Sequence, residues 1–349
     1  MRIAQLVSNY HPTNPLASKA IYSHVGSLSE GLQHLGHEVH LFGATDSVTN
    51  TILHSIGPAL SQVELPDDIR KYYMFEHASR CYEFARNNVD IIHSHFTIIS
   101  SFFNNLIDVP TVVSVHSPIE DRVRSILELH KNNRYISFSL AQRKQMPNLN
   151  WYANIYHGVD TNIFAFEPEP EKYLVFLGRI TQDKGTTFAI EAAKATGIPL
   201  LIAGASYPEE GYWQKYVEPH IDGKSIRYVG EMPFYKKIQL LQKAKALLFP
   251  SNVSEVFGYS MIEAMSCGTP VIGFDNGSVL EIVRHGETGF VVNDVDGMID
   301  AIRHINDIDR TKVRKRAEMY FSLDKMVAGY EKIYRRILSD REFQDSKSK

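Results

Sequence analysis

The segment from Ala246 to Phe274 restricts the fold of this chain more than any other stretch. It begins with an apolar run over 246–249 that Pro250 ends, which predicts a buried strand. A polar loop and a helical segment follow, and a second apolar run begins at Val271. Strand, helix and strand in this order predict a βαβ unit, and ligands of open parallel sheets bind at the carboxyl ends of such strands.

Two glutamates of this unit, Glu255 and Glu263, are the first candidates for a site. On one continuous helix they would lie about 12 Å apart along the axis and roughly 80° apart around it, so they could not touch. With Glu255 in the loop and Glu263 in the helix, they can address two parts of one extended ligand. Taken alone, Glu255 is also compatible with a solvated loop charge. Glu263 is equally compatible with a capping box that starts at Ser260, and Gly268 is placed to end the helix.

The sequence that begins at Glu255 and runs through the second strand resembles the E-x7-E segment of the retaining glycosyltransferases of family 4. The following segment, 277–290, fits the same family. The resemblance implies that Glu255 contacts the donor sugar and Glu263 the ribose of the nucleotide. It also places three intervening residues in the donor-binding site: Phe257, Gly258 and Tyr259.

A second segment of the same half carries two cations. Arg179 and Lys184 follow the apolar strand 173–177 and precede a helix. A guanidinium fork, an ammonium and the free N–H groups of a helix start together suit a diphosphate. The segment resembles the family's G-R-x-x-x-x-K-G element, which implies that both cations hold the donor diphosphate. In the strand that contains Val229 and Gly230, the resemblance places the backbone against the nucleobase.

The first half of the chain repeats the order of strand, loop, helix and strand. An apolar strand is expected over Ile3 to Ser8 and a helix from about Ala20 to Leu35. No G-x-G-x-x-G follows this strand, which disfavours a nicotinamide-dependent oxidoreductase. The family usually has a Gly-Gly pair in this loop, whereas Lys19-Ala20 stands here, so no phosphate-binding role is assigned to it.

Histidines end two apolar segments of this half. His93 and His95 alternate in the way that metal ligands do, but the spacing fixes no third ligand. His116 ends the segment 108–116, which resembles the family's P-T-V-x-S/T-x-H element. In the family this histidine borders the acceptor and the donor sugar. The resemblance therefore adds His116 to the catalytic residues Glu255, Arg179 and Lys184. The alternative is a histidine that is hydrogen-bonded within its own loop.

The resemblance covers nearly the whole chain and implies the GT-B fold, an α/β architecture of two Rossmann-like doubly wound domains facing across a cleft. Residues 1–165 are expected to form an acceptor-side domain and residues 166–325 a domain that binds the nucleotide-sugar donor. Residues 326–349 are expected to form a helix that returns to the first domain, followed by a frayed polar tail from Asp340. The proline- and acid-rich segment 166–171 is the expected linker.

The implied activity is transfer of a hexose from a nucleotide diphosphate sugar, UDP- or GDP-linked, to an acceptor hydroxyl with retention of configuration. Glycan, glycolipid or glycoside biosynthesis is the expected context. No cofactor and no metal are expected, because Arg, Lys and helix dipoles offset the leaving-group charge. The alternatives left open are another GT-B enzyme, such as a sugar-nucleotide epimerase or a phosphorylase, and a non-catalytic protein that binds nucleotide sugars. The acceptor is not identified.

Composition and charge restrict the other classes of protein to which the chain could belong. A net charge of −3 gives no general basis for nucleic-acid binding, and two cysteines cannot form a disulfide framework. No signal-peptide pattern and no run of about 18 apolar residues is found, so a cytoplasmic protein is expected. Basic residues over 122–144, beside Val123, Ile126 and Leu129, raise the hypothesis of peripheral contact with the inner face of a membrane. A solvated charged surface is the alternative.

Overall fold

The computed structural model describes residues 1–207 and 211–347, and the chain divides into two compact units. The first unit comprises Met1–His157 and the helix that starts at Leu323, and the second unit comprises Gly158–Ser322. The division after residue 157 precedes the segment 166–171 that was expected to be the linker. That segment packs within the second unit, where the backbone N–H of Glu167 donates to the carbonyl of Cys267.

The first unit is built on a sheet of seven parallel strands. The strands are β1 (Arg2–Leu6), β2 (Glu38–Phe42), β3 (Ile52–His54), β4 (Ile91–Ser94), β5 (Thr111–Ser114), β6 (Arg134–Ser137) and β7 (Trp151–Asn154). Their order across the sheet is β3-β2-β1-β4-β5-β6-β7, so the strand order reverses between β1 and β4. The edge strand β3 has only three residues and was not predicted from the sequence.

Helices cover the two faces of this sheet. They are α1 (Ala20–His34), α2 (Asp67–Asn88), α3 (Thr97–Phe103), α4 (Asp121–Leu129), α5 (Leu140–Arg143) and α12 (Leu323–Lys347). Apolar residues of α1 at helical spacing, among them Leu28 and Leu32, share a core cluster with Tyr330 and Tyr334 of α12. The two helices approach closely, since a Cβ at Gly31 would lie 2.5 Å from a Val327 methyl carbon. The last helix is therefore part of the first unit.

Helix α12 continues through the segment from Asp340 that was expected to be frayed. The helix reaches Lys347, and residues 348 and 349 lie outside the described residues, so fraying of the tail stays a prediction.

The second unit is built on a sheet of six parallel strands in the order β10-β9-β8-β11-β12-β13. The strands are β8 (Leu174–Leu177), β9 (Leu200–Ala203), β10 (Ile226–Gly230), β11 (Ala246–Phe249), β12 (Val271–Phe274) and β13 (Gly289–Val292). The helices are α6 (Thr186–Thr196), α7 (Phe234–Lys243), α8 (Tyr259–Ser266), α9 (Val279–Ile282), α10 (Val295–Arg303) and α11 (Arg310–Tyr320). The predicted βαβ unit is confirmed as β11, α8 and β12, with Leu247 opposite Val271 in a parallel pair.

Two further features bear on the expectations from composition. Cys81 and Cys267 are both buried and free. Among the described parts of the chain, no helix has both the length and the apolar character needed to cross a membrane.

Candidate active site

A glycine allows the segment that carries Lys184 to pack against the loop that follows β11. Gly185 has a φ of +69°, and a Cβ at this position would lie 2.0 Å from the carbonyl oxygen of Pro250, the residue after β11. A side chain fits neither the dihedral angle nor the space. The backbones that follow β8 and β11 therefore lie in contact, and Lys184 is placed beside the loop that carries Glu255.

Glu255 is held by two donors in this loop. Lys184 Nζ donates to Glu255 Oε1 at 2.5 Å, and Ser251 Oγ donates to the same oxygen at 2.6 Å. The Lys184 and Glu255 side chains are only 20% and 13% exposed, so water screens the pair little. The sequence assigned Lys184 to the diphosphate and Glu255 to the sugar. In the structure these two residues form one ion pair.

The backbone of Glu255 is fixed from the side of β12. Gly277 has a φ of +60°, and a Cβ there would lie 2.3 Å from the Glu255 amide nitrogen and 2.4 Å from its carbonyl oxygen. The N–H of Ser278 donates to that carbonyl at 3.1 Å. The loops after β11 and β12 thus support each other, which orients the Glu255 side chain.

Arg179 has a more open setting than Lys184. Its side chain is 57% exposed, and Nη2 lies 3.5 Å from Asp183 Oδ2. An exposed pair with this separation contributes little. The guanidinium is therefore accessible to an anionic ligand at the end of β8.

Glu263 lies on α8 and is buried. Lys237 Nζ, from α7, donates to Glu263 Oε1 at 2.5 Å. The predicted capping box is wrong, because α8 begins at Tyr259 after Gly258, and Ser260 already lies inside the first turn and makes no cap. The prediction that Gly268 ends this helix is confirmed by its φ of +81°.

The backbone is irregular at the carboxyl end of β10. The register between β10 and β9 shifts between Tyr228 and Gly230, so Val229 is skipped in the pairing. Gly230 has a φ of +75°, and apart from its chain neighbours no atom of the described residues lies within 4 Å of the position that its Cβ would take. The two residues expected to face the nucleobase thus lie at an irregular strand end.

The remaining predicted donor residues lead into α8. Gly258 lies where a Cβ would be 2.4 Å from a Met261 side-chain carbon, so the backbone is tightly packed at the start of this helix. The ring of Phe257 is buried and lies 6.4 Å from the ring of Tyr259.

His116 lies two residues after β5 in the first unit and is the partly exposed member of a cluster of five histidines, the other four of which are buried. This histidine cluster comprises His24, His93, His95, His116 and His157. His116 Nε2 is hydrogen-bonded to His95 Nδ1 at 2.8 Å, and His95 Nε2 to Gln5 Oε1 at 2.9 Å. His116 therefore bonds to the residue that follows β4 and not only within its own loop.

The hydrogen bonds extend from Gln5 to the returning helix. Gln5 Nε2 donates to the Tyr334 hydroxyl at 3.3 Å, and that hydroxyl is 2.6 Å from His93 Nδ1. His93 Nε2 is 2.8 Å from the Ser114 hydroxyl. Strands β1, β4 and β5 are thus linked to α12 by one polar network.

Burial controls the charge of this cluster. It lowers the pKa of His116 to about 3 and the pKa values of the other four histidines well below the usual value of 6.5. All five imidazoles are therefore neutral at pH 7. The nitrogens of His24, His95 and His116 lie within 4.8 Å of one another, a spacing that could accommodate a metal ion. Both nitrogens of His95, however, have hydrogen-bond partners in the protein.

Several residues of these clusters were missed in the sequence. Lys237 was missed, although Pro233 and the spacing of Ile238 and Leu241 are typical of a helix that starts before it. His24 was missed because it lies on α1, far along the chain from the strand histidines. Ser251 carried no signal of its own.

Two sequence families match the chain, and together they span most of it. Residues 22–165 match the family described as Glycosyltransferase Family 4, and residues 160–320 match the family described as Glycosyl transferases group 1. An N-acetyl-alpha-D-glucosaminyl L-malate synthase of Bacillus anthracis is 24% identical over 90% of this chain and 93% of its own length.

Solved structures share the fold. AviGT4, a glycosyltransferase involved in avilamycin A biosynthesis, matches with a TM-score of 0.74 and 23% identity over 97% of this chain and 98% of its own. Anabaena HepE, solved in complex with UDP and glucose, matches with a TM-score of 0.73 and 16% identity over 98% of this chain and 99% of its own. The two parallel α/β sheets and these neighbours confirm the expected GT-B fold. The chain belongs to the glycosyltransferases of the group 1 and family 4 type.

Proposed function

We propose that this glycosyltransferase moves a hexose from a nucleotide diphosphate sugar to an acceptor hydroxyl with retention of configuration. The observation that carries the proposal is the charged cluster of the second unit, defined by Arg179, Lys184, Glu255, Glu263 and Lys237. An exposed guanidinium and two lysine–glutamate pairs lie on elements that follow β8, β10 and β11. A diphosphate needs cations, and a sugar and a ribose need acceptors for their hydroxyls.

Each residue of the charged cluster receives a role. Arg179 and Lys184 hold the diphosphate, with Lys184 shared between a phosphate oxygen and Glu255. Glu255 accepts hydrogen bonds from the donor hexose and Glu263 from the ribose. The backbone of Val229 and Gly230 contacts the base. HepE binds UDP and glucose, which supports UDP as the first nucleotide to test.

The segment that leads into α8 completes the proposed donor site. Phe257, Gly258 and Tyr259 lie between the two glutamates, and the backbone at Gly258 packs tightly against the Met261 side chain. This arrangement offers backbone N–H groups to the donor sugar and its phosphates.

The proposed stereochemistry follows from how the carboxylates are used. Double displacement needs a nucleophilic carboxylate and a second carboxyl group about 5 Å away. Here each glutamate is engaged by a different lysine, on different elements. In the proposed front-face reaction, the bond from the anomeric carbon to the diphosphate oxygen breaks as the acceptor oxygen bonds on the same face. The acceptor proton passes to the departing phosphate.

His116 borders the reacting sugar in this proposal. Because its imidazole is neutral at pH 7, it can form a hydrogen bond with a sugar hydroxyl without introducing a charge. Arg179 and Lys184 stabilise the leaving diphosphate, and no metal or other cofactor is required in the proposal.

A two-step experiment tests the function. Thermal unfolding is measured first with UDP-, GDP- and ADP-sugars, since a ligand at a hundred times its dissociation constant stabilises by about 2.7 kcal/mol. The sugar that binds is then supplied with a panel of sugar, glycoside and lipid-linked acceptors, and the anomeric proton coupling of the product is read by NMR. An α-glycoside from an α-linked donor is expected. A β-glycoside would contradict retention, and binding without turnover would favour a non-catalytic role.

Contact with a membrane remains a separate hypothesis. Some basic residues of α4 and its flanks pair with neighbouring acids, among them Arg122 with Glu120 and Lys131 with Glu128, while the Leu129 residue is 82% exposed. Pairing reduces the attraction to anionic lipid, and exposed leucine favours insertion. Sedimentation with anionic vesicles at low salt decides the question, and absence of binding would contradict the hypothesis.

A further inference from the structure

Lys237 is fixed on two sides within the second unit. Its Nζ donates to Glu263 Oε1 at 2.5 Å and lies 5.0 Å from the centre of the Phe234 ring. The side chains of Lys237 and Glu263 are 17% and 10% exposed. An ammonium that faces both a carboxylate and an aromatic ring has a defined position, and the carboxylate that it holds is defined in turn.

The pair leaves one oxygen of Glu263 for another partner. Within residues 1–207 and 211–347, the side-chain hydrogen bond to this carboxylate is made at Oε1 by Lys237. An ionised carboxylate has two oxygens and only accepts hydrogen bonds, whereas the vicinal hydroxyls of a ribose donate them. Removing the cation from a buried ion pair leaves a carboxylate that must find other partners or turn toward water.

We propose that Lys237 is a positioning residue that makes this enzyme select ribonucleotides over 2′-deoxyribonucleotides. By holding Oε1, Lys237 orients Oε2 of Glu263 toward the ribose hydroxyls of the bound nucleotide. The inference rests on the proposed function, because it takes the ribose as the ligand of Glu263. Beyond that function, the inference assigns a role to Lys237, which does not itself contact the nucleotide, and predicts a preference for ribose over 2′-deoxyribose.

The test compares affinities for a nucleoside diphosphate and its 2′-deoxy form. UDP, GDP and ADP are screened by calorimetry with the wild-type chain, and the tightest is compared with its 2′-deoxy counterpart. Loss of a hydrogen bond to a charged group weakens binding by about 10-fold to 100-fold. The wild-type ratio of the dissociation constant of the 2′-deoxy form to that of the ribonucleotide is therefore expected to lie in this range. In Lys237→Met, which keeps an apolar stem against Phe234, the ratio is expected to fall below about threefold.

Two variants serve as controls. Lys236→Met removes the same charge from an exposed neighbour on α7 and should keep the wild-type ratio. Lys237→Arg keeps a cation for Glu263 and should restore most of the ratio. A purely structural role for Lys237 would change the affinity for both nucleotides equally and leave the ratio unchanged. If Lys237→Met does not fold, Lys237→Gln keeps a donor for Glu263, and an intermediate ratio is expected.

The outcomes separate the inference from the proposed function. A wild-type chain that binds none of the three nucleotides contradicts both. A wild-type ratio near one contradicts the assignment of Glu263 to the ribose and with it the inference. A high wild-type ratio that persists in folded Lys237→Met or Lys237→Gln overturns the role of Lys237 alone.

Discussion

The polar residues of the two units are arranged on opposite principles. In the second unit, carboxylates are paired with lysines, as in Lys184–Glu255 and Lys237–Glu263. In the first unit, neutral imidazoles bond to one another, to Gln5 and to the hydroxyls of α12. A charged cluster suits an anionic ligand, whereas a neutral hydrogen-bonded cluster suits hydroxyl groups. The difference also predicts that the stability of the first unit depends on pH. Ligand binding and turnover at the second unit should depend on single charged residues.

Acidification provides the largest expected effect. The histidines of the cluster have pKa values far below 6.5 in the folded chain, so the unfolded chain binds more protons below that pH. Stability is therefore full above pH 6.5 and falls as the pH drops toward the folded pKa values, about 3 for His116. As the pH falls from 6.5 to 5.5, each histidine of the cluster lowers the free energy of unfolding by about 1 kcal/mol. The loss for the whole cluster is on the order of 5 kcal/mol.

The two tryptophans allow each unit to be followed separately. Trp151 lies on β7 of the first unit and Trp213 lies in the second unit. In Trp213→Phe the urea unfolding midpoint should fall steeply over this pH range, and in Trp151→Phe it should fall much less. An equal fall of the midpoint in both variants would mean that the histidine cluster does not make the first unit more sensitive to pH than the second.

A glycine substitution tests the backbone contact that assembles the charged cluster. In Gly185→Ala a side chain would be forced into a φ of +69° and against the Pro250 carbonyl, at a cost of about 3 kcal/mol or more. Gly197→Ala is the matched control and should cost about 1 kcal/mol, since Gly197 has a φ of +70° and, among the described residues beyond its local backbone, no atom lies within 4 Å of its Cβ position. The free energy of unfolding is measured through Trp213. Similar losses in both variants would show that the contact between β8 and β11 loops contributes nothing.

The charge of Glu255 is the next element to remove. Glu255→Gln keeps the shape of the side chain and replaces the ionised partner of Lys184 with a neutral amide, so kcat should fall on the order of 100-fold while donor affinity changes far less. The exposed Glu191 on α6 supplies the control variant Glu191→Gln, which should retain wild-type kinetics. A loss that appears mainly in donor affinity would assign Glu255 to binding and not to orienting the sugar for transfer.

Arg179 tests the accessible part of the cluster. Because its side chain is 57% exposed, Arg179→Ala should leave the unfolding midpoint unchanged. Donor binding should weaken by roughly 1.5–3 kcal/mol, the contribution of a charge-assisted hydrogen bond. Arg303→Ala on the exposed side of α10 is the control. Unaltered donor affinity in a folded Arg179→Ala would remove this residue from the diphosphate site.

The sequence predicted more of the second unit than of the first. The run from β11 to β12 was recognised because an apolar strand, a proline, a polar loop and a helix follow in an order with few structural solutions. The pairing of Lys184 with Glu255 was not predicted, since it depends on a backbone contact between residues far apart in the sequence. His116 was identified, but its partners were not, because His24 and Tyr334 reach the cluster from α1 and α12. Side-chain clusters of this kind depend on tertiary packing, which local patterns do not encode.

Ser251 offers the finest test of how the charged cluster is oriented. Its buried hydroxyl donates to Glu255 Oε1 at 2.6 Å, beside the bond from Lys184 to the same oxygen. In Ser251→Ala the ion pair persists and only the neutral donor is lost, so kcat should fall about fivefold, or about 1 kcal/mol. Ser266→Ala is the matched control, because its buried hydroxyl donates within α8 to the Ile262 carbonyl. Both variants lose a buried hydroxyl, but only Ser251→Ala should reduce kcat. If both lower stability equally and neither lowers kcat, the lysine alone orients Glu255, and the charged cluster depends on ion pairs without help from neutral hydrogen bonds.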